Sequence, residues 1–241
     1  MKYLLLGSSI TTLFTGLASA TVTIQKTNPT PYRTTGLNSF VTSGGQMGGM
    51  VVTVTFSDSS TATETWVETD AISGGAVVPD RFSLTQGGLS NAGSTYYNDW
   101  TLTNNDPTAS ITGFSINSRP GDTVFDTKLP DKGTPGSDRG LNFAITNATD
   151  GPHNAWVFYS DSLRLTGAEE AVGDTFLQLD VLLQKPSPGS STPLSAGESL
   201  SFMQDTDSAL IEGDIIQVPE PSTGLGIGLL LSAAFFLRRR K

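Results

Sequence analysis

The stretch MVVTVTFSDSSTATETWVET, residues 50–69, decides the fold. Apolar side chains occupy every second position from Val52 to Phe56, and threonines occupy the positions between them. This period of two is typical of a β-strand with one buried face and one solvated face. The polar run at residues 57–60 predicts a turn, and the threonine-rich segment after it predicts a returning strand that reaches Trp66.

Similar segments follow along the chain at short intervals, separated by clusters of Gly, Asn, Asp, Ser and Pro. They are RFSLTQ, STYYNDWTLTNN, SITGFSIN, LNFAITN, NAWVFYS, DSLRLTG, DTFLQLDVLLQ and ESLSFMQ. No convincing amphipathic helix lies among them, and the low-complexity run at residues 185–197 is typical of a long hairpin loop. The pattern predicts an all-β fold, a single antiparallel β-sandwich or jelly roll.

The N-terminal segment MKYLLLGSSITTLFTGLASA, residues 1–20, has the features of a secretory signal peptide. Lys2 supplies a positive charge, a mostly apolar run follows, and Ala18 and Ala20 form an A-x-A cleavage site. Residues 21–217 are therefore expected to form an exported β-sandwich ectodomain.

The composition limits the functions that are open to this ectodomain. The chain has 14 basic and 23 acidic residues, and five of the basic ones lie in its two end segments. The body between those ends is strongly acidic, so it repels phosphate backbones and nucleic acid is not an expected partner. Because the chain has no cysteine, thiolate nucleophiles, thiolate metal sites and disulfide chemistry are excluded.

The C-terminal segment VPEPSTGLGIGLLLSAAFFLRRRK, residues 218–241, predicts a short membrane anchor. Residues 222–237 are uncharged, and a helix of that length spans about 24 Å, less than the roughly 30 Å core of a typical bilayer. Pro219 and Pro221 keep the strip around Glu220 extended, so that an enzyme can bind it. A basic cluster ends the segment, and the positive-inside rule places this cluster on the cytoplasmic side. The cluster consists of Arg238, Arg239, Arg240 and Lys241.

The Pro219-Glu220-Pro221 triplet, the short Gly- and Leu-rich span and the terminal basic cluster together resemble the PEP-CTERM sorting signal of Gram-negative bacteria. The resemblance implies that an integral-membrane exosortase recognises the triplet and cleaves the tail. It also implies a transient stay in the inner membrane, a final location at the cell surface or in the extracellular matrix, and a link to exopolysaccharide and biofilm. The segments FDT, GTPGS and FMQDTDSA resemble parts of other PEP-CTERM ectodomains, whose function is unassigned.

The sequence offers little support for catalysis. His153 is the only histidine, so it cannot supply a zinc triad or an HExxH pair, and no G-x-S-x-G elbow accompanies it. Its turn-like surroundings, DGPHNAW, predict an exposed loop histidine. Two carboxylates would be enough for a glycosidase, but no pattern selects a pair among the 23 acids. A non-catalytic protein is therefore expected, with a glycan-processing hydrolase as a remaining alternative.

Acidic residues near the end of the ectodomain suggest a calcium site. Asp205 and Asp207 lie two positions apart, so they share a face in a strand and can converge on a hard cation in a loop. The EF-hand pattern fails here, because Ala209 and Leu210 occupy its later positions. The alternative for these acids, and for a second group, is a set of solvated turn residues. The second group consists of Asp122, Asp126, Asp131 and Asp138.

Aromatic residues raise the alternative of a carbohydrate-binding module. In the segment STYYNDWTLTNN, Trp100 fits an inward position, whereas Tyr97 has the opposite parity and is the better candidate for stacking on a sugar. In the segment NAWVFYS, Trp156 also fits an inward position, so a core role is expected for it.

These features predict an exported, exosortase-sorted protein of the cell surface or extracellular matrix, without catalytic activity. The first alternative is a carbohydrate-binding or calcium-stabilised adhesion module. The expected partners are exosortase, the inner membrane during sorting, and exopolysaccharide, and calcium is the one cofactor that the residues suggest.

Overall fold

The computed structural model describes residues 22–26, 32–34, 37–39, 42–128, 140–149, 153–165, 175–184 and 193–209. Within these ranges the chain forms sixteen β-strands and three short 3-10 helices, with no α-helix. The predicted signal peptide with Ala18 and Ala20, the predicted membrane helix at 222–237 and the basic tail at 238–241 lie outside the described residues.

The strands in chain order are β1 (Val22–Lys26), β2 (Tyr32–Thr34), β3 (Leu37–Ser39), β4 (Val51–Phe56), β5 (Thr61–Thr65), β6 (Val67–Asp70), β7 (Ser73–Val78), β8 (Phe82–Gln86), β9 (Trp100–Asn104), β10 (Ile111–Asn117), β11 (Thr123–Asp126), β12 (Ala144–Ala148), β13 (Asn154–Leu165), β14 (Thr175–Gln184), β15 (Ser199–Met203) and β16 (Thr206–Ala209). The 3-10 helices are Gly44–Gln46, Ser90–Gly93 and Arg119–Gly121.

The strands form two sheets. The first has ten strands and follows the order β3-β16-β11-β14-β10-β4-β5, while β13 pairs with β14, β1 and β2. The second has six strands in the order β12-β15-β9-β8-β7-β6. Both β10 and β11 pair with β14, and the 3-10 turn at Arg119–Gly121 separates them. One long strand, β14, therefore holds the centre of the first sheet together.

The hairpin predicted from residues 50–69 is confirmed. β4 and β5 pair antiparallel, with Thr53 opposite Thr63 and their hydroxyl oxygens 2.9 Å apart. In the turn, Asp58 Oδ1 accepts hydrogen bonds from the backbone N–H and the hydroxyl of Ser60, at 2.9 and 2.6 Å. The aspartate side chain therefore stabilises the reversal by bonding to the backbone two residues on.

The two sheets pack against each other around a large hydrophobic core, as in a β-sandwich, and a smaller cluster contains Val124, Leu163 and Leu177. Aromatic rings connect them: the ring centroids of Phe114 in the first sheet and Phe202 in the second are 5.4 Å apart. The Trp66 ring lies 5.2 Å from the Trp100 ring, and the Trp66 indole N–H donates to the Gly44 carbonyl oxygen. Burial of these large rings supplies much of the apolar area that stabilises the sandwich.

The antiparallel prediction needs one correction, because β1 and β2 both pair parallel with β13. No hairpin sets their direction, since a long stretch of chain separates them from β13 and a parallel pair needs such a crossover. The remaining strand pairs of the described residues are antiparallel. In addition, NAWVFYS and DSLRLTG form one strand, β13, although the turn-like residue Asp161 has a φ of 57°.

Candidate functional site

Three carboxylates converge where β11 ends and β16 begins, and we call them the acidic cluster. Asp126 closes β11, Asp205 precedes β16 and Asp207 lies within it. Oxygens of the three carboxylates lie within 4.8 Å of one another, and the residues are 1%, 6% and 1% exposed. Like charges at this separation repel strongly in a buried place, so a proton or a positive charge is needed to offset the repulsion.

Backbone pairing and a close contact fix the acidic cluster. The Asp126 N–H donates to the Asp205 carbonyl oxygen over 3.1 Å, and Asp207 pairs with Val124 across the two strands. Gly140 packs directly against Asp126, because a Cβ at this glycine would lie 2.6 Å from Asp126 Oδ1. A glycine at position 140 is therefore required by the close approach of this carboxylate.

The surroundings of Asp205 favour its protonated form. Burial, followed by the charges of Asp207 and Asp126, raises the pKa of Asp205 to about 8. A hydrogen bond acts in the opposite direction, since the Thr95 hydroxyl donates to Asp205 Oδ1 over 3.2 Å. At neutral pH the Asp205 carboxyl is therefore mostly protonated when no cation is bound.

Gln204 connects the acidic cluster to the core. Its side-chain amide donates to the Leu141 carbonyl oxygen over 3.1 Å, and its side-chain carbonyl accepts a hydrogen bond from the Tyr159 hydroxyl. The Tyr159 oxygen in turn accepts a hydrogen bond from the Phe143 N–H at 2.9 Å. Burial raises the pKa of Tyr159 far above its usual value, so the hydroxyl stays protonated and continues to donate to Gln204.

The structure brings Asp205 and Asp207 together and adds Asp126 from the second acidic group, while calcium binding by them stays a prediction. The alternative of solvated turn residues is wrong for these three acids, because they are buried. Asp122, by contrast, is exposed. Sequence spacing could not select Asp126, since its position depends on the pairing of β11 with β16. Two acids of the second group lie outside the described residues: Asp131 and Asp138.

The expectation for His153 is wrong. This histidine was expected in an exposed loop, yet it is 2% exposed and lies immediately before β13. The turn-like residues around it concealed the start of a buried strand. A side chain with so little exposure is a poor general base for an incoming substrate.

Tyr97 is exposed as predicted, although for a different reason. Its exposed fraction is 56%, but it lies in a turn before β9, so the parity of a strand does not apply to it. The Tyr97 ring contacts the Tyr96 ring edge-on, with centroids 4.9 Å apart. Trp100 is fully buried, as expected. Tyr97 therefore presents an accessible ring on a turn, beside one aromatic neighbour.

Trp156 contradicts its expected core role, because it is 40% exposed. The inward positions of β13 belong to Ala155, Val157 and Tyr159, which are fully buried. Trp156 and Phe158 therefore face outward, on the opposite side of the same strand. Parity alone misled here, because β13 carries large apolar residues on both of its faces.

The comparisons with known proteins concern the C-terminal segment. Residues 217–241 match the family model of the PEP-CTERM protein-sorting motif. The chain carries a PEP-CTERM sorting motif. The triplet Pro219-Glu220-Pro221 and the basic residues at 238–241 lie within the matched segment. The PEP-CTERM motif implies an exported protein that exosortase processes.

Searches of curated proteins and of solved structures found no match for this chain. Among the described residues, no helix is long and apolar enough to cross a membrane. The PEP-CTERM segment lies outside those residues. The motif therefore bears on sorting, and the role of the β-sandwich has to be inferred from its own geometry.

Proposed function

We propose that this is an exported, non-catalytic protein that exosortase delivers to the cell surface or the extracellular matrix, where it is linked to exopolysaccharide. The observation that carries the proposal is the match of residues 217–241 to the PEP-CTERM sorting motif. The acidic, cysteine-free body is compatible with an extracellular location and with a polysaccharide partner that is not strongly anionic.

The acidic cluster does not fit the glycosidase alternative. The two carboxyl groups of a glycosidase are at least about 5 Å apart and flank the substrate. The acidic cluster is both tighter than this and buried, so it is a poor glycosidase pair. The single histidine is buried as well, which leaves it without access to a substrate.

Mass spectrometry of the mature protein from its host tests the sorting proposal. We expect a new C-terminus near residues 219–222 and loss of the rest of the tail. Changing Pro219, Glu220 and Pro221 together to alanine is expected to leave the precursor uncleaved. Ile216→Ala, a change just outside the matched segment, is the control and is expected to be processed normally. A wild-type chain that runs intact to Lys241 in the inner membrane would contradict the proposal.

The second candidate function is a calcium-stabilised adhesion module, and the acidic cluster favours it. Calcium prefers several oxygen ligands from carboxylates and carbonyls. Asp126, Asp205 and Asp207 bring three carboxylates to one place from two neighbouring strands. A bound cation would remove the repulsion among them, and its binding would displace the Asp205 proton.

Thermal unfolding of the mature protein in millimolar calcium, in magnesium and in chelator tests the second candidate. We expect calcium to raise the melting temperature, because a ligand at about 100 times its Kd stabilises the folded state by about 2.7 kcal/mol. Asp126→Asn is expected to abolish the calcium-dependent rise. Asp122→Asn changes an exposed acid close by and is expected to retain it. Identical melting temperatures in calcium and in chelator would rule out this function.

A further inference from the structure

The outer face of the ten-stranded sheet combines an aromatic half with a hydroxyl half. Strand pairing aligns β1, β13, β14, β10, β4 and β5 across this face. One row across these strands contains Thr23, Trp156, Leu182, Gly113, Thr55 and Thr61. The next row places Phe158 opposite Asp180, and Asp180 opposite Ser115. The alternation of each strand puts these side chains on the side away from the core.

The aromatic half is exposed to solvent. Trp156 and Leu182 lie directly opposite each other and are 40% and 45% exposed. Gly113 is the next residue in the row, and a Cβ there would lie 3.3 Å from Leu182 Cδ2. The leucine therefore extends over the glycine instead of standing above the sheet. Trp156 and Leu182 therefore form an exposed apolar pair, with Thr23 of β1 on the other side of the tryptophan.

The hydroxyl half lies further along the same rows. The outward side chains of β5 are the exposed threonines Thr61, Thr63 and Thr65. Thr53 of β4 lies opposite Thr63, with their hydroxyl oxygens 2.9 Å apart. Three strand spacings separate β13 from β4, a distance of about 14 Å. A regular array of hydroxyls therefore starts at a distance from Trp156 that a few linked sugars would span.

The charge of this face restricts what can bind to it. Neither of the two rows contains a lysine or an arginine, and Asp180 is their one charged residue. Asp180 accepts a hydrogen bond from the Gln178 amide over 3.0 Å, so it forms part of a polar border beside the tryptophan. An anionic polymer would meet this carboxylate and the acidic body with no compensating cation. The face is complementary to an uncharged ligand with an apolar surface and many hydroxyls.

We propose that this outer face binds an uncharged polysaccharide, with one pyranose ring stacked on Trp156 and the following sugars directed across the strands towards the threonines of β4 and β5. A pyranose ring presents C–H groups on its faces and hydroxyls at its edge, which matches an aromatic ring with a polar border. The proposal rests on the proposed function in one respect: export to the cell surface or matrix is what would bring the protein into contact with a polysaccharide. Binding itself does not require cleavage of the tail.

Affinity electrophoresis of the mature protein in native gels tests the proposal. The gels contain hydroxyethylcellulose, dextran or galactomannan as uncharged probes, and alginate as the anionic comparison. We expect retardation by at least one uncharged polymer and none by alginate. Trp156→Ala is expected to lower the affinity about tenfold, as loss of one aromatic stacking contact commonly does. Val77→Ala removes an exposed apolar side chain from β7 of the second sheet and is the control, with unchanged retardation.

Intrinsic fluorescence gives a second readout, which reports contact between the glycan and Trp156 and which misfolding of a variant would not reproduce. The chain has three tryptophans, and Trp66 and Trp100 are no more than 1% exposed, so a bound glycan can shift only the emission of Trp156. We expect the uncharged polymer that retards the protein to protect this emission from acrylamide. In Trp156→Phe the protection is expected to vanish, while weak retardation remains because a ring is still present.

Three results would overturn the inference. They are the absence of retardation by all three uncharged polymers, retention by alginate alone, and full retardation of Trp156→Ala. Near-ultraviolet circular dichroism of each variant confirms that the sandwich is folded in these comparisons. A failure of this binding leaves the cleavage experiment on the tail unaffected, and the reverse also holds, so the two proposals can fail separately.

Discussion

Asp106 and Asp205 are both buried carboxylates, 3% and 6% exposed, but their surroundings move their pKa values in opposite directions. The backbone N–H groups of Ala109 and Thr108 lower the pKa of Asp106, and the Arg81 charge adds to this. Burial and two neighbouring carboxylates raise the pKa of Asp205 to about 8. The comparison shows that hydrogen-bond donors outweigh the effect of burial on the pKa of Asp106, whereas burial and like charges outweigh the donors at Asp205.

Arg81 extends the surroundings of Asp106 into a network between the two sheets. One guanidinium nitrogen donates to Asp106 over 2.6 Å, and the other donates to the Ser60 hydroxyl over 2.6 Å. Ser60 in turn donates to Asp58 in the turn of the opening hairpin, and the guanidinium group lies 3.9 Å from the Phe56 ring centroid. We call these residues the Arg81 network. In the Arg81 network each carboxylate accepts hydrogen bonds from nearby donors, whereas in the acidic cluster three carboxylates lie next to one another.

The largest expected difference between the acidic cluster and the Arg81 network is that the free energy of unfolding contributed by the cluster falls as the pH rises. The folded pKa of Asp205, about 8, lies above its ordinary value of 3.8. Between these values the folded protein keeps a proton that the unfolded chain has released. The stabilisation is therefore complete below pH 4 and falls as the pH rises towards 8, by up to about 1.4 kcal/mol per pH unit.

Urea unfolding in chelator at pH 5, 6, 7 and 8 measures this dependence. Asp205→Asn cannot titrate, so its free energy of unfolding should change less over the same interval. Asp122→Asn, at an exposed acid, should follow the wild type. Parallel pH profiles for Asp205→Asn and the wild type would mean that Asp205 does not hold the proton.

Asp106→Ala is expected to be the most destabilising single substitution of the Arg81 network. It removes the acceptor for the Thr108 and Ala109 N–H groups and leaves Arg81 without its carboxylate. The pKa of Asp106 is lowered, so its contribution is present at neutral pH and disappears as the pH falls through the folded pKa. Melting temperatures at pH 7 and pH 3 should therefore show a larger difference from wild type at pH 7 than at pH 3. Asp106→Asn keeps an acceptor oxygen and should lie between the two proteins at pH 7.

Thr95→Val tests the contribution of the side-chain hydroxyl that donates a hydrogen bond to Asp205. The Thr95 hydroxyl donates to Asp205 and accepts a hydrogen bond from the Thr206 N–H over 3.0 Å. The isosteric valine leaves that N–H without this acceptor, so we expect a loss of about 1–3 kcal/mol in the free energy of unfolding. Without the hydroxyl, the pKa of Asp205 should rise further. Thr101→Val is the control, since the Thr101 hydroxyl lies 3.5 Å from the Ser201 hydroxyl and a weak contact is lost.

The sequence predicted the parts of this protein that local periodicity determines. The hairpin of β4 and β5, and the inward rows of β14 and β15, follow from apolar side chains at every second position. The PEP-CTERM triplet is also recognisable from local sequence, because the motif is a contiguous segment. Parallel pairing of β1 and β2 with β13 involves residues far apart in the chain, so no local pattern could show it.

The candidate sites were harder to predict, because they depend on contacts between distant strands. Asp126 joins Asp205 and Asp207 only through the pairing of β11 with β16. Parity favours the core for Trp156, but both faces of β13 are apolar, and parity cannot choose between two apolar faces. The binding face proposed above depends on Trp156, so it could be recognised only after the strands were aligned.

Asp58→Ala is expected to have the smallest effect of the series. Asp58 is exposed, and the Ser60 hydroxyl and N–H lower its pKa, as the donors of Asp106 do. Water can replace the lost acceptor at an exposed turn, whereas it reaches the buried Ala109 N–H poorly. Melting curves of Asp58→Ala and Asp106→Ala at pH 7 make the test. If the two variants lose equal stability, exposure is not what distinguishes the two aspartates. Their links to Arg81, direct for Asp106 and through Ser60 for Asp58, would then carry the stabilisation of both.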